Sequence, residues 1–340
     1  MGSVIDHDLV EDIVARGRVT ADDVDDLRRT VYRDGVVDRA EADAIFFINS
    51  ACAEKDPSWS AFFVDALTDF VIWQDKPKKH VSDAESQYLI AHILHDGHVD
   101  TATELELLIN VVHWAVSSPP SLAFLALKAI RDSVLEPATA LRGSNRPPAI
   151  VSPADVELIR KVIYAAGSPG GYTVTRDEAE LIVALNDATD SSENADTWRD
   201  LFVKAIANYL MFPAAAPAVP TAEEELAREH WLEEKRDVGK LIAGIGSSFL
   251  RLDIPFREAW RETDMFGTVS RREERQREAR RLADAMGRES IDAAEAAWLV
   301  KNIGKNGSLD DSERALLAFI KKYAPVIDPA AAPLFARAGL

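Results

Sequence analysis

Residues 19–48 read VTADDVDDLRRTVYRDGVVDRAEADAIFFI. The stretch contains one short phrase twice: an aliphatic residue, then Thr or Asp, then two residues, then an acid. Val19-Thr20-x-x-Asp23 is the first copy and Val37-Asp38-x-x-Glu41 the second. Such spacing writes a helix-capping box. The Ser, Thr or Asp side chain accepts from the backbone of the first turn, and the acid three residues on reaches back to the cap's own N–H. Further copies are Val81-Ser82-x-x-Glu85, Val151-Ser152-x-x-Asp155, Val174-Thr175-x-x-Glu178, Ile291-Asp292-x-x-Glu295 and Leu309-Asp310-x-x-Glu313. Val99-Asp100-x-x-Thr103 is a looser copy, with its acid one place late at Glu104. Recurrent helix starts predict an all-α protein built from repeated helical units.

The copies come in pairs, and longer stretches align with one another. Residues 151–185 match 19–48 once a glycine-rich insertion before Val174 is allowed, and the register continues from Trp59-x-x-Phe62-Phe63 to Trp198-x-x-Leu201-Phe202. The stretch from Val81 likewise matches that from Ile291. Matched order over such spans predicts a tandem duplication of a two-module unit. The expected division is an N-terminal helical domain at 1–142, a linker at 143–150 and a C-terminal helical domain at 151–340. The second half carries an insertion at 213–286. Apolar positions at Ile45, Ile48 and Cys52, and at Leu105, Leu108, Ile109 and Val112, recur at helical spacing. Glycines 17, 35, 97 and 307 mark tight turns shortly ahead of caps. The aliphatic residue before each cap favours extended backbone, so paired loops are expected to touch through β-bridges of one or two residues at most.

Composition narrows the function classes. The chain has 340 residues, 47% of them hydrophobic, enough for a sizeable core. No run of about 18 apolar residues occurs, which predicts no transmembrane segment. The net charge of −18 opposes nucleic-acid binding, which needs clustered basic residues. The one basic stretch, Arg271 to Arg281, is interrupted by Glu273, Glu274 and Glu278 and reads as a solvated helix. A single cysteine, Cys52, and an acidic N-terminus without an apolar stretch point to the cytoplasm.

Catalytic motifs are missing: no GxSxG, P-loop, GxGxxG, HExxH or CxxC is present. GKLIAGIGSS, at 239–248, follows a helical pattern and is a weak phosphate-loop signal. No enzyme activity and no cofactor are therefore expected. Two metal readings stand beside this. An EF-hand loop carries glycine sixth, an aliphatic residue eighth and a bidentate Glu twelfth. Asp34, Asp38 and Glu41 around Gly35, and Asn306, Asp310 and Glu313 around Gly307, meet part of that pattern. The first and third positions are Thr30 and Tyr32 in one loop and Asn302 and Gly304 in the other, which leaves few oxygen ligands for calcium. His92, His95 and His98 form the second candidate, for a transition metal, although Gly97 separates the last from the helix.

Within the insertion, a proline-rich connector precedes Trp231, Phe256, Trp260 and Phe266, aromatic candidates for a partner surface. The turns themselves carry a family resemblance. His95-Asp96-Gly97-x-Val99-Asp100-x-x-x-Glu104, with the Gly35 and Gly307 turns, resembles the turn of tellurite-resistance TerB-like domains. That resemblance spans the turns and flanking helices of both halves but not 213–286. It implies an all-helical, cytoplasmic or membrane-peripheral protein linked to stress responses, with metal binding among the family's suggested properties. The expected function is a non-enzymatic interaction or scaffold protein with a protein partner and a capacity for self-association. The alternative is a calcium- or transition-metal-responsive sensor using degenerate EF-hand-like turns.

Overall fold

The computed structural model describes residues 7–33, 35–74, 77–95, 97–136, 149–165, 168, 173–190, 193–211 and 290–340. Asp34, residues 143–148 of the linker, the 213–286 insertion with its four aromatic candidates, and the 239–248 and 271–281 stretches lie outside them. The described part is predominantly helical. In chain order it contains α1 (His7–Arg16), β1 (Arg18–Val19), α2 (Ala21–Val31), α3 (Arg39–Ala51), β2 (Glu54–Lys55) and α4 (Pro57–Asp69). A π-helical turn at Phe70–Gln74 extends α4 and leads to α5 (Asp83–Ile93), β3 (Leu94–His95), β4 (His98–Val99), α6 (Ala102–Trp114) and α7 (Pro120–Leu135). After residue 148 come α8 (Pro153–Ile163), α9 (Arg176–Ala188) and α10 (Asp196–Met211). Beyond residue 289 are α11 (Ala293–Asn302), α12 (Asp311–Tyr323), a 3₁₀ turn at Pro329–Ala331 and α13 (Ala332–Arg337).

Each phrase read from the sequence is a helix start. Reciprocal boxes close at Thr20–Asp23, Asp38–Glu41, Ser82–Glu85, Ser152–Asp155, Thr175–Glu178, Asp292–Glu295 and Asp310–Glu313. The loose copy differs by one residue. The cap of α6 is Thr101, whose hydroxyl accepts from Glu104 N, so the box is Thr101–Glu104 and Asp100 lies outside it. The spacing to the acid decides this, because only a residue three places ahead of Glu104 can share the box.

The aliphatic residues ahead of the caps tie each helical pair to the chain that follows it. Asp56 N donates to Val19 O, Val81 N to Ser117 O, Ala195 N to Val151 O and Asp328 N to Ile291 O, each at 2.9 Å. Among the described residues, pairing is no longer than two residues: β1 and β2 run parallel, and His80–Ser117 and Ile291–Ile327 are single bridges. Leu94–Val99 forms a short antiparallel hairpin around Gly97.

Large aromatic residues fill the interior. On α4, Trp59, Phe62, Phe63, Ala66 and Leu67 recur at three and four, and all are buried. Pro57 at the first helical position and Asp56, which accepts from Ser58 N, start that helix. This face packs on α2 and α6, while α10, with Trp198 and Phe202 buried, packs on α12, α8 and α9. Helix α7 lies against α8 and α9, and all the described residues fall in one compact unit, Met1–Val219 with Ala285–Leu340. No described helix is long and apolar enough to cross a membrane.

Candidate functional site

Asp38, Glu41, Asp310 and Glu313 of the calcium-type set are engaged by backbone. Glu41 Oε2 accepts from Asp38 N, and Asp38 Oδ1 accepts from Glu41 N, both at 2.9 Å. Glu313 is used at both oxygens, Oε1 by Gly304 N at 2.7 Å and Oε2 by Asp310 N at 3.1 Å. Asp310 accepts from Glu313 N at 2.8 Å and from Asn186 Nδ2 at 2.6 Å. Burial, ahead of every other influence, pushes both carboxyls above their ordinary range. Asn306 turns away and donates to Asp190 at 3.2 Å. Basic side chains cover two of the turns. Lys128 Nζ donates to Gly97 O at 3.0 Å, and Arg337 Nη2 donates to Gly304 O and Gly307 O at 3.2 and 3.3 Å. Among the described residues, no three His, Cys, Asp or Glu side chains are grouped to hold a metal ion.

The histidines are separated. His92 lies on α5, its Nδ1 2.8 Å from Tyr88 O and its Nε2 3.5 Å from Asp43, with its ring against Phe46 and Tyr88. Asp43 also accepts from the Tyr88 hydroxyl at 2.7 Å, while the Arg39 guanidinium stacks 3.6 Å over the Tyr88 ring. His98 is exposed on β4, opposite the backbone of His95. The side chain of His95 lies outside the described part.

Two cavities that the sequence did not single out sit at matching places, each between a helix C-terminus and a later capping box. The first, of about 470 Å³, lies between α3, β2 and the start of α6 and is lined by Asn49, Cys52, Lys55, Asp100, Thr101 and Glu104 among others. The second, of about 370 Å³, lies between α9, α10 and the start of α12 and includes Asn186, Asp190, Asn194, Arg199, Asp310 and Asp311. A buried asparagine anchors each. Asn49 Oδ1 accepts from Trp59 Nε1 at 3.0 Å, and its amide donates to Glu104 at 3.2 Å. Asn186 Oδ1 accepts from Trp198 Nε1 at 3.1 Å, and its amide donates to Asp310. Each asparagine thus pins a core tryptophan to the cap of another helix. Their sequence signal is a polar residue on an otherwise apolar helix face, Ile48-Asn49 and Leu185-Asn186.

The cavities differ in charge and closure. In the second, Asn194 bridges its own wall: Nδ2 donates to Thr189 O and Oγ1 at 3.0 and 3.1 Å, and Oδ1 accepts from Val151 N at 2.8 Å. In the first, the corresponding stretch carries Cys52 and Lys55. The Cys52 thiol is buried and donates to Ile13 O at 3.7 Å, and burial holds its pKa up. Burial also lowers the Lys55 pKa, against the raising influence of Cys52 and Glu104. The Lys55 ammonium and the Asp100 carboxylate line this cavity without a side-chain hydrogen bond or ion pair among the described residues. No family model, curated protein or solved structure matches this chain.

Proposed function

We propose that the chain is a non-enzymatic, cytoplasmic interaction protein of TerB-like type serving stress responses, built by tandem duplication of a two-module helical unit. The observation that carries the reading is the use of the turn acids. Glu41, Glu313, Asp38 and Asp310 hold helix caps, and Lys128 and Arg337 cover carbonyls of the Gly97 and Gly307 turns. A turn whose acids face the backbone serves architecture, which leaves surfaces to carry the function. Phe47 on α3 and Phe124 on α7 are large aromatic residues left 55% and 44% exposed, and they are the contact points this reading assigns. The matched Trp–Asn pairs, Trp59–Asn49 and Trp198–Asn186, support the duplication.

Thermal unfolding of chelator-treated protein tests the reading against the sensor alternative. Millimolar calcium or micromolar zinc should leave the melting temperature unchanged. A ligand at a hundred times its Kd would add about 2.7 kcal/mol, a readily measured gain. A gain with calcium that disappears in the Glu41→Gln, Glu313→Gln double variant would replace the proposal with a calcium sensor. Crosslinking of the full chain in cells supplies the second arm. Its partners should be lost on Phe47→Ser with Phe124→Ser, and an unchanged crosslink pattern removes the assigned surface.

A further inference from the structure

We infer that the cavity between α3, β2 and the start of α6 binds a small zwitterion of the α-amino acid class, with Lys55 receiving its carboxylate and Asp100 its ammonium. The one-residue shift of the α6 cap creates the negative end. Thr101 takes the capping role, so Asp100 faces solvent at the cavity wall with no backbone N–H to accept from. The positive end comes from the replacement of a self-closing pair. At the equivalent of Thr189 and Asn194, which bond one another and Val151, the first half has Cys52 and Lys55. The Lys55 ammonium is half-buried and does not reach a carboxylate within ion-pair distance among the described residues.

A lone anion on Lys55 would meet the field of the buried Glu104, while Asp100 lines the same cavity as a separate negative end. A ligand with both charges satisfies each end, and it relieves the desolvated, unpaired ammonium that a half-buried lysine otherwise carries. The volume of about 470 Å³ falls in the range of small-molecule sites, roughly 300–1,000 Å³. The second amide hydrogen of Asn49 and the Thr101 hydroxyl supply further polar contacts at the wall.

The test is thermal unfolding of the full chain with each of the common L-amino acids in turn at millimolar concentration. At least one should raise the melting temperature by several degrees. Its α-amide and its N-acetyl derivative, each missing one charge, should give no shift on the same protein. Lys55→Met and Asp100→Asn, first checked for an unaltered melt without ligand, should each abolish the shift, while Arg199→Met at the second cavity should retain it. The inference is overturned if no amino acid shifts the melt, or if the shift survives both first-cavity variants. It is equally overturned if acetate or the α-amide alone reproduces the shift, since one charge would then suffice.

Discussion

Asn186 shows how much one buried polar side chain can organise. It is almost inaccessible to solvent, accepts from the Trp198 indole and donates to Asp310, joining α9 to residues 12 and 124 positions away. Removing it orphans a buried indole N–H and takes a donor from a capping carboxylate. An unsatisfied buried donor costs about 1–3 kcal/mol. Asn186→Leu should therefore lower stability by at least about 2 kcal/mol in urea unfolding, through loss of satisfaction rather than volume. A loss below about 0.5 kcal/mol would show that water replaces the amide, the outcome for a wet, not a dry, tryptophan contact.

At the scale of the element, the helix-joining turns depend on left-handed glycine followed by a cap. Gly307 has φ +89°, and a Cβ built there would meet nothing within 4 Å. Any cost of a side chain is thus conformational, about 1–2 kcal/mol for an ordinary L-residue. Gly307→Ala should lose about that amount, and Gly307→Asn less, because asparagine tolerates positive φ better. Equal losses from the two variants, measured by chemical unfolding, would place the cost in contacts instead. Gly304 in the same turn behaves differently: a Cβ would lie 2.9 Å from Arg337 Nη2, the group that covers the turn carbonyls.

The whole molecule carries its acids inward as well as outward. Burial raises the pKa of Glu178, Asp187, Asp310 and Glu313, with hydrogen bonds to Ser168 and Thr175 only partly offsetting this at Glu178. For an acid whose folded pKa lies above its unfolded value, the folded state holds the proton longer. Stability is then unaffected below the unfolded value, near 4.5 for Glu, and falls as pH rises through the raised folded value. Glu178→Gln, which keeps an acceptor for the Thr175 cap, should flatten that fall. The difference in urea midpoint between wild type and variant should favour wild type most at pH 4.5 and shrink toward neutrality. A difference independent of pH would mean that Glu178 titrates as it does in the unfolded chain.

The sequence by itself determined where helices begin and which faces they bury, because capping boxes and apolar spacing act within three to eight residues. Thr20–Asp23, Asp38–Glu41 and the run from Trp59 to Leu67 needed no distant partner to be read. The short bridges also followed locally, since valine or isoleucine ahead of a cap favours extended backbone. Only the tertiary structure decided what the acids and cations face. Lys128 reaches Gly97 across 31 residues and Arg337 reaches Gly307 across 30, contacts set by how α7 and α13 return over the turns. The cap shift to Thr101 was within reach of the sequence, through the spacing to Glu104, but its consequence was not. Lys55 and Asp100 come to one cavity because α4 packs on α6, and a side chain's charge says nothing about its neighbours until such packing is complete.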